Sequence, residues 1–293
     1  MADSHKILDH LTQFNRIRML NKPSVKLFNA SSIKKCLTIA GSDCSGGAGI
    51  QADLKTFAAH RVFGMSVIVS VVAENTARVI AIQDIEPAII DNQLEAVFED
   101  IEVDAIKIGM LSTTKTMETV AAKLKSYKAN KTVIDPVMYA KNGAPLMATT
   151  AIDCLIKTII PIATILTPNI PEAQKISGHM INKVSEMKEA AKIIYDLGGA
   201  GILIKGGHLA TEATDLFYDG RNFFEFEAAR INTKNTHGTG CTYSSAIAAN
   251  LANGLSTIES IAKAKDYITG AIASSLNIGK GHGPLNHLYQ LYP

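Results

Sequence analysis

Short runs of β-branched and apolar residues alternate along the chain with longer stretches in which apolar residues recur every three or four positions. The runs predict strands, and several are apolar at consecutive positions, as is typical of strands buried on both faces. The predicted strands are 37–40, 66–72, 105–108, 132–134, 164–166 and 201–204. The longer stretches predict helices packed against a sheet, at 48–60, 87–102, 114–127, 149–159, 171–177, 185–197, 240–253 and 257–276. This alternation predicts an α/β fold with a central, mainly parallel sheet between helices.

The two ends of the chain differ from this regular middle. Asp219-Gly220, between the runs 215–218 and 222–227, predicts an antiparallel hairpin. Residues 1–35 show no sustained period, and we predict that they form an N-terminal extension, a surface arm, ahead of a single domain at 36–293. A targeting peptide is an alternative for this extension, disfavoured by its acidic residues.

Composition excludes several classes of function. The 293 residues are 47% hydrophobic and 19% charged with a net charge of +2, which predicts a soluble globular protein with no electrostatic reason to bind nucleic acid or a membrane surface. No apolar stretch approaches the roughly 20 residues of a membrane span. The four cysteines lie far apart without CxxC spacing, so we expect neither a zinc site nor a disulfide framework, which fits a reducing cytoplasm.

A glycine-rich segment from Gly41 to Gly49 follows the first predicted strand and opens a helix. Glycines there allow a ligand to approach the backbone N–H groups of a helix N-terminus. The segment lacks the GxxxxGK[ST] pattern of a Walker loop. Gly47-x-Gly49-x-x-Ala52 fits a relaxed dinucleotide-binding pattern, but its glycines start several residues after the strand. We favour a substrate-side loop and keep a dinucleotide site or a structural turn as alternatives.

A second glycine segment, Thr236-His237-Gly238-Thr239-Gly240-Cys241, precedes a long predicted helix. The N–H groups of Gly238, Thr239 and Gly240 could surround the negative charge that develops in phosphoryl transfer. Because a helix N-terminus favours a thiolate, we expect a lowered pKa at Cys241. The alternative is a glycine turn beside a buried thiol.

Further polar residues stand where predicted strands end. Asp135, Asn169 and Lys205 follow three strands, and Glu172 opens the helix after Asn169. Ligands of open α/β sheets bind beyond the carboxyl ends of the strands. A carboxylate near an amide can hold hydrated Mg²⁺, and a lysine can face phosphate. Each residue alone could be structural, but their convergence favours a site for a phosphorylated ligand.

These motifs, in this order, resemble the ribokinase superfamily and, within it, the hydroxymethylpyrimidine/phosphomethylpyrimidine kinases of thiamine biosynthesis. The resemblance covers about residues 36–290, through the motifs at 37–43, 45–56, 107–111, 135–138, 167–173, 205–208 and 233–241. It implies a ribokinase-like three-layer sandwich, often dimeric. It also implies ATP and Mg²⁺ dependent phosphorylation of 4-amino-5-hydroxymethyl-2-methylpyrimidine and then of its monophosphate.

The resemblance also implies roles for individual residues. Pyrimidine-pocket positions are Gly41, Asp53, Glu74, Met110 and Val137. Cys241 matches the catalytic base that follows the anion-hole residues Gly238, Thr239 and Gly240. On the nucleotide side stand Asp135, Asn169, Lys205 and Thr236, with Glu172 at the Mg²⁺ position.

One position departs from the family pattern. The chain reads Ala73-Glu74-Asn75-Thr76 where these kinases usually have Gln in place of Glu. An amide can accept a hydrogen bond from the amino group of an aminopyrimidine and donate one to its ring nitrogen. An ionised carboxylate can only accept, so its second oxygen is repelled by the nitrogen lone pair. Glu74 therefore requires one extra proton, weakens binding, or points to solvent.

Other functions stay open on the sequence. A vitamin B6 kinase of the same superfamily is the nearest, since its substrate also carries a hydroxymethyl group on a nitrogen ring. An NAD(P)-dependent oxidoreductase built on Gly47 and Gly49 would leave Cys241 and Lys205 unexplained. An inactive binding module would be expected to lose Glu172 or the anion-hole glycines, which this chain retains.

Overall fold

The computed structural model describes residues 33–140, 143–207 and 214–291. The predicted N-terminal arm lies almost entirely outside these residues, and His208 of the 205–208 motif lies outside them as well. The strands are β1 Lys35–Asp43, β2 Phe63–Glu74, β3 Val79–Asp84, β4 Ala105–Ile108, β5 Thr132–Ile134, β6 Ile165–Leu166, β7 Ile202–Ile204, β8 Asp215–Tyr218 and β9 Phe223–Phe226. The longer helices are α1 Gly49–Ala59, α2 Pro87–Asp100, α3 Thr114–Ser126, α4 Ile170–Ser177, α5 Val184–Asp196, α6 Thr239–Ala252 and α7 Thr257–Ala273.

The nine strands form one sheet in the order β3-β2-β1-β4-β5-β6-β7-β8-β9. Strands β2, β1, β4, β5, β6 and β7 are parallel. At one edge β3 pairs antiparallel with β2, and at the other β8 pairs antiparallel with β7 and β9 with β8. After β1 the chain first builds towards β2 and then returns to add β4 on the other side of β1. This reversal creates a crevice at the carboxyl ends of β1 and β4, where open α/β sheets bind ligands.

Each face of the sheet is covered by its own hydrophobic core. Ile106 and Ile108 of β4 pack with α2 to α5, whereas Ala105 of the same strand packs with α1, α6 and α7. Alternate residues of one strand thus enter opposite cores, which is why the parallel strands are apolar at consecutive positions. The predicted α/β sandwich with a mainly parallel central sheet is confirmed.

Two sequence predictions of local structure were wrong. Strand β3 was not predicted because most of its side chains are exposed. A turn at Asn75 separates it from β2, and the Asn75 side chain accepts hydrogen bonds from the N–H groups of Ala77 and Arg78 at 2.9 and 3.0 Å. The predicted helix at 149–159 is instead a series of short 3₁₀, α and π turns from Thr149 to Ile162. This segment is rich in β-branched residues, which crowd a helix, and Pro161 lies in its final turn.

Within the described residues, no helix has the length and apolar character needed to cross a membrane. The hairpin predicted around Asp219-Gly220 is confirmed. Asp219 accepts hydrogen bonds from the N–H groups of Arg221 and Asn222, and Gly220 takes the left-handed φ of 94° that this turn needs.

Candidate active site

A cleft of about 920 Å³ opens along the carboxyl ends of the parallel strands. The strand-end segments of β1, β4, β5, β6 and β7 all contribute to its wall, together with the segment before α6. Of the residues predicted for the site, the cleft is lined by Gly41, Glu74, Met110, Asp135, Val137, Asn169, Glu172, Lys205, Thr236, Gly238, Thr239, Gly240 and Cys241. The fold therefore brings together all of the predicted site residues except Asp53.

Asp43, the last residue of β1, organises the loop that follows it. Its Oδ1 accepts the Ser45 N–H, and its Oδ2 accepts the N–H groups of Gly47 and Ala48 at 3.0 and 2.7 Å and lies 2.9 Å from His237 Nε2. Burial by itself would raise the pKa of Asp43, but these hydrogen bonds outweigh it and hold the pKa below its usual range. The loop N–H groups that a dinucleotide would need are thus already used by a carboxylate of the chain.

The floor of the cleft beside β1 depends on a glycine. The pairing of β1 with β2 shifts register between Ala40 and Gly41, and a Cβ at Gly41 would lie 2.8 Å from Met110 Cε. A side chain there would therefore displace Met110. Gly41 and Met110 thus line the cleft side by side with a bare backbone and an apolar side chain, a combination that suits the approach of an aromatic ring.

Glu74 ends β2 at a second irregularity, where the pairing of β2 with β3 shifts register between Ala73 and Glu74. Such a bulge re-aims a side chain, and Glu74 lines the cleft rather than facing away from it. One oxygen of Glu74 lies within 4.8 Å of an Asp43 oxygen and of a His237 ring nitrogen. Burial and the negative charge of Asp43 raise the pKa of Glu74 to about 7, against the opposing influence of His237.

Asp53 does not reach the cleft, and its predicted contact with the pyrimidine is corrected here. Its carboxylate is fully buried and bonds Lys107 Nζ at 2.8 Å, Thr38 Oγ1 at 2.6 Å and Ser245 Oγ at 2.7 Å. The partners belong to β4, β1 and α6, so Asp53 ties α1 to the sheet and to α6. All of its polar contacts lie within the protein, which makes it a structural residue beneath the site.

The lowered pKa predicted for Cys241 is also wrong. Burial, with the nearby carboxylates of Asp53 and Asp135, raises the pKa of the thiol to about 11 even though the Lys107 ammonium and the Gly49 N–H act in the opposite direction. The helix N-terminus alone could not reveal this, because the loss of solvent outweighs it. With this raised pKa, Cys241 is a thiol at neutral pH.

The segment before α6 approaches the strand ends closely. Gly238, with φ of 81°, packs so tightly on the loop after β1 that a Cβ there would overlap the carbonyl oxygen of Gly47. A Cβ at Gly240 would lie 2.9 Å from Asp135 Oδ2 and 3.4 Å from Lys205 Nζ. The start of α6 therefore sits directly against a lysine at a strand end, and its N–H groups and that lysine form a positive surface for a phosphoryl group.

Glu172 and Lys205 lie in this same part of the cleft. Glu172 is 4% exposed and forms a reciprocal cap with Asn169, in which each side chain accepts the backbone N–H of the other. Lys205 Nζ lies 2.5 Å from Asp135 Oδ1. Burial raises the pKa of Glu172 to about 7, and Asp135 adds to this while Lys205 opposes it.

Sequence reasoning missed three residues that shape the cleft. Asp43 and His237 were read only as parts of glycine motifs, and Lys107 only as part of a strand-end motif, whereas the fold pairs Asp43 with His237 and places Lys107 beside Cys241. The acidic residue at the carboxyl end of β1 could have identified Asp43. Its pairing with a histidine 194 positions later has no local signal.

The sequence model of the family described as phosphomethylpyrimidine kinase matches residues 43–286 of the chain. The hydroxymethylpyrimidine/phosphomethylpyrimidine kinase of Rhizobium meliloti is 46% identical over 87% of this chain and 97% of its own length. The thiamine biosynthesis bifunctional protein ThiED of Geobacter sulfurreducens is 48% identical over 86% of this chain, which spans about half (52%) of that longer protein.

Solved structures of two kinds of vitamin kinase are similar to the chain. An ADP complex of Bacillus subtilis pyridoxal kinase superposes with a TM-score of 0.83 at 40% identity, covering 89% of this chain and all of that one. The phosphomethylpyrimidine kinase of Clostridium difficile superposes with a TM-score of 0.74 at 46% identity, covering 82% and 99%. Pyridoxal kinase from Staphylococcus aureus with AMP-PCP gives a TM-score of 0.82 at 35% identity, covering 88% and 94%.

Proposed function

The chain belongs to the phosphomethylpyrimidine kinase family, and from that premise we propose how its cleft works: ATP phosphorylates the hydroxymethyl group of 4-amino-5-hydroxymethyl-2-methylpyrimidine and then the resulting monophosphate. The observation that carries this proposal is the division of one cleft into two chemically different parts. Gly41 and Met110 offer an apolar surface for a ring, and Gly240 and Lys205 offer a positive surface for phosphate. A hydroxyl on the ring can thus meet a phosphoryl group at the boundary.

The anion-hole segment and Lys205 stabilise the charge of the transferring phosphoryl group. The N-terminus of α6 supplies N–H groups and a positive dipole end, and Gly240 has no side chain to keep a phosphate away. Lys205 approaches from the end of β7, balanced by Asp135. Because phosphoryl transfer passes through a loose transition state, this electrostatic arrangement is expected to supply most of the rate enhancement.

Cys241 takes the proton of the acceptor hydroxyl in this proposal. A pKa of about 11 leaves the thiol protonated at neutral pH, so the thiol must first release this proton to the solvent, and the Lys107 ammonium and the Gly49 N–H favour the resulting thiolate. In a loose transition state the hydroxyl proton leaves late, after most of the bond to the leaving group has broken. A thiol at rest is therefore compatible with a thiolate that receives the proton late in the reaction.

The residues of the cleft also fit a magnesium ion. Glu172 is a buried carboxylate beside a second carboxylate, Asp135, and burial together with the Asp135 charge raises its pKa even with Lys205 nearby. Glu172 already accepts N–H groups from Asn169 and Met138, so Glu172 would hold hydrated Mg²⁺ through water, as Mg²⁺ commonly prefers. When bound, the ion would offset the charge of the phosphates of ATP.

A vitamin B6 kinase is the second candidate, because pyridoxal kinases superpose with higher TM-scores than the phosphomethylpyrimidine kinase does. Measuring kcat/KM for the pyrimidine alcohol and for pyridoxal with the same preparation separates the two. We expect the pyrimidine to be preferred, since sequence identity to the phosphomethylpyrimidine kinases is higher. A preference for pyridoxal would contradict the proposal.

We also propose a homodimer in a reducing compartment such as the cytoplasm. Exposed apolar side chains on the edge strand β3, those of Ile80 and Ile82, support burial against a second copy. All four cysteines, each of them in the described part of the chain, are unpaired, which supports a reducing compartment. Sedimentation velocity at micromolar concentration tests the dimer, and a monomer would contradict it.

A further inference from the structure

Three proton-binding side chains from distant parts of the chain meet at the end of β2. Glu74 ends β2, Asp43 ends β1, and His237 precedes α6, and one donor or acceptor atom from each lies within 4.8 Å of the others. All three line the cleft, but Asp43 and His237 are buried and bonded to each other at 2.9 Å, whereas Glu74 is only half-buried. Glu74 is therefore the most accessible member of the group for a ligand in the cleft.

The surroundings of Glu74 favour a proton over a metal ion. Both oxygens of Asp43 already accept N–H groups of its own loop, and its Oδ2 also contacts His237 Nε2. Asp43 Oδ2 therefore has no lone pair left for a cation. The thiol of Cys44 contacts the Glu74 carbonyl oxygen at 3.1 Å, and the cleft that Glu74 lines is also lined by the titratable side chains of Lys234 and His282.

A carboxylate and the edge of an aminopyrimidine ring fit each other only when one proton is added. The ring presents an amino donor next to a nitrogen acceptor, and an ionised carboxylate offers two acceptors. One oxygen accepts from the amino group, but the other meets the nitrogen lone pair and repels it. A proton on either partner turns this repulsion into a second hydrogen bond.

We propose that Glu74 recognises the nitrogen edge of the substrate ring, and that the ring alcohol binds together with one proton that bridges the Glu74 carboxyl and the ring nitrogen. This inference rests on the proposed pyrimidine kinase function and deepens it. The proton comes from the buffer, so binding consumes a proton wherever the free site is ionised. The direction of the Glu74 pKa agrees with this, because burial and the Asp43 charge shift Glu74 towards its protonated form.

Proton uptake on binding tests the proposal directly. The pyrimidine alcohol, which has no titrating phosphate, is titrated calorimetrically into the full chain without nucleotide, in buffers of different ionisation enthalpy. With a free-site pKa of about 7, we expect uptake of about 0.9 proton at pH 8 and about 0.1 at pH 6. The Kd should rise by up to about tenfold per pH unit above pH 7.

Two variants identify the group that holds the proton. Glu74→Gln supplies the missing donor as an N–H, so we expect no uptake at pH 8 and the same Kd at pH 6 and pH 8. Cys44→Ser keeps Glu74 and removes the neighbouring thiol, so uptake should match the wild type.

The possible outcomes separate this inference from the proposed function. If the wild type binds and phosphorylates the alcohol with no proton uptake at pH 8, this inference is overturned and the kinase function stands. Uptake that persists in Glu74→Gln also overturns it, since another group such as His237 then holds the proton. Loss of ring binding in a folded Glu74→Gln protein would contradict it too. If the wild type neither binds nor phosphorylates the alcohol, the proposed function fails with it.

Discussion

Two carboxyl groups of the cleft, Glu74 and Glu172, both have a pKa raised to about 7, but their surroundings differ. Glu172 is 4% exposed, fixed by backbone N–H groups and close to Lys205 and Asp135. Glu74 is half-buried at a β-bulge, with the Asp43–His237 pair beside it. Burial is the largest cause of both shifts, so the same pKa arises at a rigid, internally bonded group and at a ligand-facing one.

The difference indicates what each group needs from a ligand. One end of the cleft, the phosphoryl end, is defined by Glu172, Lys205, Gly240 and Cys241. There the ligand is expected to supply positive charge in the form of a hydrated cation. The other end, the ring end, is defined by Gly41, Glu74 and Met110. There one proton is needed between the Glu74 carboxyl group and the nitrogen edge of the substrate ring. We therefore expect changes at the phosphoryl end to alter kcat and changes at the ring end to alter the KM of the pyrimidine and its dependence on pH.

The largest effect is expected for Cys241→Ser at the phosphoryl end. A serine hydroxyl is a far weaker acid than a thiol and cannot take over a thiolate's proton transfer, so kcat should fall by roughly 10²- to 10⁴-fold with the KM for ATP nearly unchanged. Steady-state kinetics measure both constants. Cys154→Ser, which changes a thiol that does not line the cleft, is the matched control. A near-normal kcat in Cys241→Ser would remove Cys241 from the base role.

Gly240→Ala should lower kcat by roughly 10²-fold, the size typical of losing one oxyanion donor. Its Cβ would lie 2.9 Å from Asp135 Oδ2 and would occupy space next to Lys205 that the phosphoryl group needs. Gly207→Ala is the comparison variant: Gly207 also lines the cleft, and a Cβ there lies within 4 Å of no other described residue. A folded and fully active Gly240→Ala enzyme would show that phosphoryl transfer takes place elsewhere.

Asp53→Asn should lower the stability of the protein and leave substrate binding almost unchanged. The change leaves the Lys107 ammonium buried without its counter-charge, which is expected to cost about 3–5 kcal/mol of unfolding free energy. Because Asp53 does not line the cleft, the KM of the pyrimidine alcohol should change by less than about twofold. Chemical denaturation and kinetics on the folded fraction measure the two quantities. A large rise in KM with unchanged stability would instead show that Asp53 contacts the substrate ring.

The smallest effects are expected on the thermal midpoint when Glu74 or Glu172 is replaced by glutamine. Each has a folded-state pKa above its usual value of 4.5, so the unfolded chain releases the proton first and stability falls as the pH rises from about 4.5 to 7. Glu74→Gln and Glu172→Gln should therefore raise the thermal midpoint relative to wild type at pH 8 but not at pH 4. Because the pKa is raised to the same extent in both groups, the two gains should be similar. Equal midpoints at both pH values would show that neither carboxyl group is perturbed.

The sequence predicted most of the fold and most of the cleft because both depend on local patterns. Parallel strands buried on two faces are apolar throughout, and strand-end motifs point to one edge of the sheet wherever the strands lie. Strand β3 was not predicted because its side chains are largely exposed and lack the apolar pattern of a buried strand. The pKa of Cys241 and the ion pair of Asp53 with Lys107 depend on burial and on partners distant in the chain. No local pattern carries that information.

The central claim is that one cleft phosphorylates the pyrimidine alcohol and then its monophosphate. Following the reaction with ATP and Mg²⁺ by ³¹P NMR tests it most directly, because the two pyrimidine products and ADP give separate signals. We predict that the monophosphate appears first and is then converted to the diphosphate, with one ADP formed at each step and both steps lost in Cys241→Ser. ADP formation without a phosphorylated pyrimidine, or equal product formation by Cys241→Ser, would contradict the account.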